Sequence, residues 1–219
     1  MCRSGLLLLL LTLASASGAE LNQAETAALL DRLKEHRAKF PSLTADFSEE
    51  KTTRLLQKPL VTHGSIAFTT PNLFRREVNG ASPSTTVCDG RQLWIYYPNF
   101  KEAELYTLGQ RSFFDDSLAA LTAGLNFTNI ADFYRYAAYR EENGYRLALR
   151  PKTSGLKRMM RELNVWISDD FLIARTEAVL PKEDRIVTVY KNQRSAAVPP
   201  STFDFKPPAE VKVTTPLGK

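Results

Sequence analysis

Residues 84–97, STTVCDGRQLWIYY, decide the fold because they hold two short apolar strands joined by a turn. The central Asp89-Gly90 pair is a hairpin signal, since tight hairpin turns need residues that accept positive φ. Asn143-Gly144 gives the same signal, and Asp169-Asp170 gives a weaker one. Hairpins at these places predict neighbouring strands that run antiparallel.

Outward from this hairpin, the chain reads mostly as short strands. Leu43, Ala45 and Phe47 alternate with polar residues, and this period of two puts the apolar set on one face of a strand. Similar patterns predict about eleven strands in all: 43–50, 59–69, 73–78, 84–88, 92–97, 102–107, 133–141, 144–150, 158–168, 171–180 and 185–192, with a short last one near 202–205.

Two helices interrupt the strands. Asn22 and Glu25 form a capping-box pattern at the start of a helix over 22–39. Apolar residues at helical spacing after Ser112 predict a second helix over 112–124. Because a large antiparallel sheet tends to curl, we expect helices to cover its hollow side. The predicted fold class is mainly β with helices (α+β), an unclosed antiparallel β-barrel of about eleven strands with a helical lid.

Composition supports one globular domain. The 219 residues are 43% hydrophobic and 24% charged, which excludes a disordered or low-complexity protein. Arg3, a leucine-rich run over 6–13 and small residues up to Ala19 predict a cleaved secretory signal at 1–19, leaving 20–219 as a single domain. The run is too short for a membrane anchor. The net charge of +5 suits acidic lipid headgroups or an acidic partner, but is too small to indicate nucleic acid.

Catalytic signals are scarce. The sequence holds two histidines, His36 and His63, and none of the motifs HExxH, GxSxG, GxGxxG, Walker or CxxC. His36 lies among charged residues, which favours a solvated helix face. Glu49 and Glu50 are adjacent in a strand and so point to opposite faces. Cys88 is expected to be a small buried residue. We therefore predict that the protein is not an enzyme and holds no metal or cofactor.

An ordered series of short motifs runs along the predicted mature chain. They are Pro59-Leu60, Gly64-Ser65-Ile66, Pro71-Asn72-Leu73-Phe74-Arg75, Asp89-Gly90-Arg91-Gln92-Leu93-Trp94 and Phe203-Asp204-Phe205-Lys206-Pro207-Pro208. With a signal peptide and no lipid-attachment cysteine after it, the series resembles the LolA family, periplasmic carriers of outer-membrane lipoproteins. The resemblance implies an unclosed barrel covered by helices, with an apolar cavity for acyl chains.

The resemblance also implies roles for particular residues. Those expected to bind acyl chains are Leu43, Phe47, Ile66, Phe68, Phe74, Trp94 and Tyr96. Leu118 and Leu121 are expected to belong to the lid. Strand 92–97 is apolar on both faces, so the side that Trp94 and Tyr96 occupy stays open.

One position departs from the family. Well-studied members carry an arginine directly before the proline of the Pro-Asn-Leu motif, and it ties the lid to the barrel. Here Thr70 stands in that place, so Arg75 and Arg76 become the candidates for a lid contact.

The partners implied by the resemblance are acylated lipoproteins, an ATP-driven inner-membrane complex that releases them, and the outer-membrane acceptor LolB or an equivalent. The carrier would act as a periplasmic monomer that delivers lipoproteins from the inner to the outer membrane. The alternative is a LolA-like binder of another lipid or glycolipid, or a sensor of stray lipoproteins. A hydrolase ranks third.

Overall fold

The computed structural model describes residues 18–108, 127 and 130–216. In that part of the chain the strands are β1 (Ala19–Glu20), β2 (Ser42–Thr52), β3 (Leu60–Thr69), β4 (Leu73–Asn79), β5 (Ser84–Asp89), β6 (Gln92–Tyr97), β7 (Glu102–Thr107), β8 (Tyr134–Glu141), β9 (Gly144–Pro151), β10 (Glu162–Ile167), β11 (Ile173–Val179), β12 (Arg185–Arg194) and β13 (Lys212–Thr214). The α-helices are α1 (Gln23–Lys39), α2 (Ile130–Phe133) and α3 (Ser154–Met159).

These strands form a single unclosed sheet. Its order is β1-β8-β9-β10-β11-β12-β2-β3-β4-β5-β6-β7-β13, so β1 and β13 are the two edges. Every pair is antiparallel except β13 on β7, which is parallel. The contact between β12 and β2 joins the two halves of the chain. The predicted mainly β fold with a large open antiparallel sheet is therefore confirmed.

The turn signals are confirmed as hairpins. Asp89-Gly90 lies between β5 and β6, Asn143-Gly144 between β8 and β9, and Asp169-Asp170 between β10 and β11. Gly90 and Gly144 adopt φ of +89° and +131°, a region that glycine enters without steric cost. Asp89 keeps negative φ and instead accepts hydrogen bonds from the backbone N–H groups of the turn.

Helix α1 covers one face of the sheet, which we call the inner face. The capping box is confirmed: Asn22 Oδ1 accepts from the Glu25 N–H at 3.0 Å, and Glu25 accepts from the Asn22 N–H at 2.8 Å. Leu29, Leu30 and Leu33 are buried together with inner-face residues of the sheet. On β2 the residues of the other, outer face are polar (Thr44, Asp46 and Ser48), so the core lies between α1 and the inner face.

Two local predictions were wrong, and two short strands were not predicted. The segment near 202–205 is a 3-10 turn over Pro200–Phe203, because consecutive prolines lack the N–H groups that a sheet needs. The strand expected from 158 begins at Glu162, since Thr153 caps the short helix α3 before it. The edge strands β1 and β13 were missed because two and three residues carry no period.

Other predictions fall outside the described residues. The helix over 112–124, with Leu118 and Leu121, is one of them. Most of the signal segment 1–19 is another, although Ala19 is described and pairs with Arg140 in the sheet. Within the described ranges, no helix is both long and apolar enough to cross a membrane.

Candidate functional site

The register of the sheet brings five of the predicted binding residues to the inner face. Leu43 lies opposite Phe68, and Phe68 lies opposite Phe74. Phe47 lies opposite Gly64, and Ile66 is two residues further along the same strand. Directly paired residues of an antiparallel sheet share a face, so this set is contiguous.

Only part of this set borders open space. Phe47, Ile66 and Phe74 line a cavity of about 240 Å³. Leu43 and Phe68 are 1% and 0% exposed and belong to the packed core under α1. The other side chains that line the cavity are Glu49, Arg76, Met159, Met160, Leu163, Thr176, Ala178, Leu180, Ile186, Thr188 and Tyr190.

Sequence reasoning missed the half of the cavity that β10, β11 and β12 provide. Its apolar residues include Leu163, Ala178 and Ile186, each inside a predicted strand. Their alternation was visible, but their place beside Phe47 follows from the pairing of β12 with β2. Met159 and Met160 fall within the predicted strand 158–168 but lie at the end of α3.

The Phe47 ring explains a glycine in the middle of a strand. A Cβ atom on Gly64 would lie 2.7 Å from Phe47 Cζ and 1.8 Å from the carbonyl oxygen of Glu77. The ring therefore lies directly against the Gly64 backbone, where any side chain would displace it. Glycine inside a strand often marks such a close approach.

One ion pair lies in the cavity wall. Arg76 Nη2 is 2.8 Å from Glu49 Oε2, and the Thr188 hydroxyl donates to the same oxygen at 3.2 Å. The Arg76 guanidinium carbon is 4.4 Å from the centre of the Phe47 ring. The adjacent Glu50 is exposed, as expected for neighbouring residues of a strand.

The outer face holds the remaining predicted residues. Trp94 lies opposite Val87, and Val87 lies opposite Arg75, so all three occupy the face away from Phe47. Trp94 and Tyr96 each lie 5.7 Å from the Phe205 ring. They are thus covered by the C-terminal segment and do not border the cavity.

Arg75 attaches the C-terminal segment to this outer face. Its Nη1 donates to the carbonyl oxygen of Thr202 at 3.2 Å, and its Nε donates to Glu77 at 2.8 Å. The segment 112–124 lies outside the described residues, so a lid contact of Arg75 or Arg76 stays a prediction. In the described part of the chain, the side chains of Arg75 and Arg76 lie on opposite faces of the sheet.

A larger cavity of about 430 Å³ lies beside Arg75, but its lining differs in kind. Its side chains are mostly polar or charged, among them Asp46, Glu77 and Arg194. Ligand cavities are usually lined by apolar side chains with a few polar groups. The smaller cavity fits that description, so we take it as the candidate site.

Two buried groups near the inner face carry shifted pKa values. Burial raises the pKa of the Cys88 thiol, which keeps it protonated and agrees with its expected role as a small core residue. Arg37 is 5% exposed, and desolvation lowers its pKa. Its Nη1 donates to the Phe40 carbonyl at 3.4 Å, and its guanidinium carbon lies 5.7 Å from the centre of the Phe68 ring. His36 is half-buried and its ring lies 5.0 Å from the Phe40 ring, so this helix face is less solvated than its charged neighbours suggested.

Comparison with known proteins agrees with this architecture. The family described as "Outer membrane lipoprotein carrier protein LolA" matches residues 38–206. An outer-membrane lipoprotein carrier protein of Dechloromonas aromatica (strain RCB) is 28% identical over 189 residues, which cover 85% of this chain and 88% of the relative. The carrier of Proteus mirabilis (strain HI4320) is 29% identical over 200 residues, which cover 88% and 90%.

A solved structure shows the same fold. An uncharacterized conserved protein from Thermus thermophilus has a TM-score of 0.53 at 12% identity, covering 87% of this chain and 99% of that chain. The family match extends over most of the sheet, from the end of α1 to the segment that covers Trp94. This chain belongs to the LolA family of outer membrane lipoprotein carrier proteins.

Proposed function

We propose that this protein is a periplasmic carrier that binds the acyl chains of lipoproteins in the cavity and delivers them from the inner to the outer membrane. The observation that carries the proposal is an apolar cavity at the inner face, next to Phe47 and Phe74. The relatives named outer-membrane lipoprotein carrier proteins and the predicted signal at 1–19 support it. The reaction would be binding and release alone, without catalysis.

The cavity sets a scale for binding. A methylene is similar in size to a water molecule, whose share of liquid volume is about 30 Å³, so 240 Å³ holds roughly eight methylenes. At about 0.8 kcal/mol per buried methylene, their burial contributes roughly 6 kcal/mol. This corresponds to part of one acyl chain.

The proposed partners are acylated lipoproteins, an ATP-driven inner-membrane complex that supplies them, and LolB or an equivalent acceptor. Incubation with a purified acylated lipoprotein tests the first step. We expect a soluble one-to-one complex on size exclusion, and none with the same lipoprotein lacking its acyl chains. Transfer of the cargo to purified LolB tests the last step.

A second candidate is a carrier of another lipid. A cavity for acyl chains alone needs only apolar side chains. The charged Glu49–Arg76 pair in its wall therefore favours a lipid that also carries a polar group. Retention of free lipid without any complex with lipoprotein would select this candidate. Failure to bind either class would refute both.

A further inference from the structure

The ion pair of the cavity wall has an unusual setting. Arg76 lies on β4 opposite Ile66 of β3, and Glu49 lies on β2 opposite Thr62 of the same strand. The pair therefore spans β3 near Gly64, and both side chains line the cavity. The side chains of Arg76 and Glu49 are 21% and 25% exposed. Charged groups at an apolar surface lose hydration, so they require partners for their remaining hydrogen-bonding groups.

Among the described residues, Glu49 has two hydrogen-bond partners, whereas Arg76 has one. One carboxylate oxygen of Glu49 accepts from both Arg76 and Thr188. A guanidinium has five N–H groups, and in the described part of the chain Arg76 donates only to Glu49. Stacking on Phe47 holds the guanidinium against the cavity wall. Donors therefore remain available to a molecule in the cavity.

We propose that Arg76 binds the carbonyl oxygen of an acyl group, whether ester or carboxylate, while the chain lies among the apolar residues of the cavity. This inference rests on the proposed function and names the chemical group that the cavity selects. The oxygen atoms of an acyl group accept hydrogen bonds, and the N–H groups of Arg76 that have no partner among the described residues need such acceptors. Glu49 fixes Arg76 in place and disfavours additional negative charge.

Three amphiphiles with the same twelve-carbon chain separate the possibilities: laurate, methyl laurate and dodecyltrimethylammonium. Their affinities for the purified protein are measured by calorimetry. In Arg76→Met we expect laurate and methyl laurate to bind about tenfold more weakly, as for the loss of one hydrogen bond to a charged group. Dodecyltrimethylammonium, which has no acceptor, should bind as well as before or more tightly, because Glu49 is then unpaired.

The partner and the neighbour of Arg76 supply controls. Glu49→Gln should tighten laurate binding severalfold, since it removes the competing carboxylate. A purely structural pair would give weaker binding in both variants. Arg75→Met removes the same charge one residue away on the outer face and should leave all three affinities unchanged. The double variant Glu49→Gln, Arg76→Met removes both charges, so no unpaired carboxylate is left that could destabilise the fold. It should still bind laurate more weakly than the wild type.

The outcomes separate the two proposals. Equal losses for all three amphiphiles in Arg76→Met, or weaker laurate binding in Glu49→Gln, would overturn the role of Arg76 and leave the carrier function standing. If laurate alone responds, the cavity selects a carboxylate, and if both acyl compounds respond, it accepts an ester as well. A wild-type protein that binds none of the three would refute the carrier function itself.

Discussion

Filling the cavity should separate ligand binding from folding. Ala178 on β11 lines the cavity, and a phenylalanine there adds six ring carbons to a space that holds roughly eight methylenes. If each ring carbon takes the place of one methylene, exclusion of about six, at about 0.8 kcal/mol each, removes roughly 5 kcal/mol of binding free energy as an upper limit. The free energy of unfolding should stay the same or rise, because the ring enters empty apolar space and not a packed core.

The assay is calorimetric titration with laurate, paired with thermal unfolding of each variant. Val179→Phe is the matched control, since the next residue of the strand points to the outer face. We expect at least tenfold weaker binding in Ala178→Phe and a change within twofold in Val179→Phe. A folded Ala178→Phe protein that bound laurate like the wild type would show that the ligand lies elsewhere. Phe47 is a poorer target, because its ring also covers Gly64.

Three further changes test the fold around the site. Gly64→Ala should lower the free energy of unfolding by roughly 2–4 kcal/mol in urea titrations, because the new methyl group meets backbone; a loss below 0.5 kcal/mol would contradict that close approach. Desolvation, with the charges of Arg37 and Lys39, lowers the pKa of His36 in the folded protein, so protonation favours the unfolded chain. The free energy of unfolding should therefore fall as the pH drops through about 6.5. His36→Gln should weaken this dependence of the free energy of unfolding on pH between about pH 7 and 5. Phe205→Ala should shift tryptophan emission to the red by exposing Trp94 while laurate affinity stays constant; weaker laurate binding would link the outer face to the site.

Alternation in the sequence predicted which residues share a face, but not always which face. Phe47 could be assigned, because the other face of β2 is polar. Trp94 and Tyr96 could not, since β6 has apolar residues on both faces, with Leu93 buried on the inner side. Their side is set by Phe205, more than a hundred residues away in the chain. That contact leaves no trace in a local pattern.

The same limit applies to the charged residues. Neighbouring residues of a strand point to opposite faces, yet the sequence offered both Arg75 and Arg76 as candidates for a single lid contact. The structure gives them different partners: Thr202 with Glu77 for Arg75, and Glu49 for Arg76. These partners depend on the register of β2, β3 and β4, which is fixed by the whole sheet and not by any one strand.

The size of the cavity bears on how the proposed carrier would take up and release an acyl chain. A membrane buries every methylene of an acyl chain, whereas this cavity holds roughly eight, so a sixteen-carbon chain is more stable in the membrane by about 6 kcal/mol. Release to a membrane is then downhill, and loading from one requires energy from another protein. In a cavity large enough for the whole chain, the acyl chain would be as stable as in the membrane, and its release would no longer be downhill. Leu43 and Phe68, on the same inner face, are buried in the core under α1 and add nothing to the cavity, so the packing that stabilises the fold also leaves only part of the inner face open to a ligand.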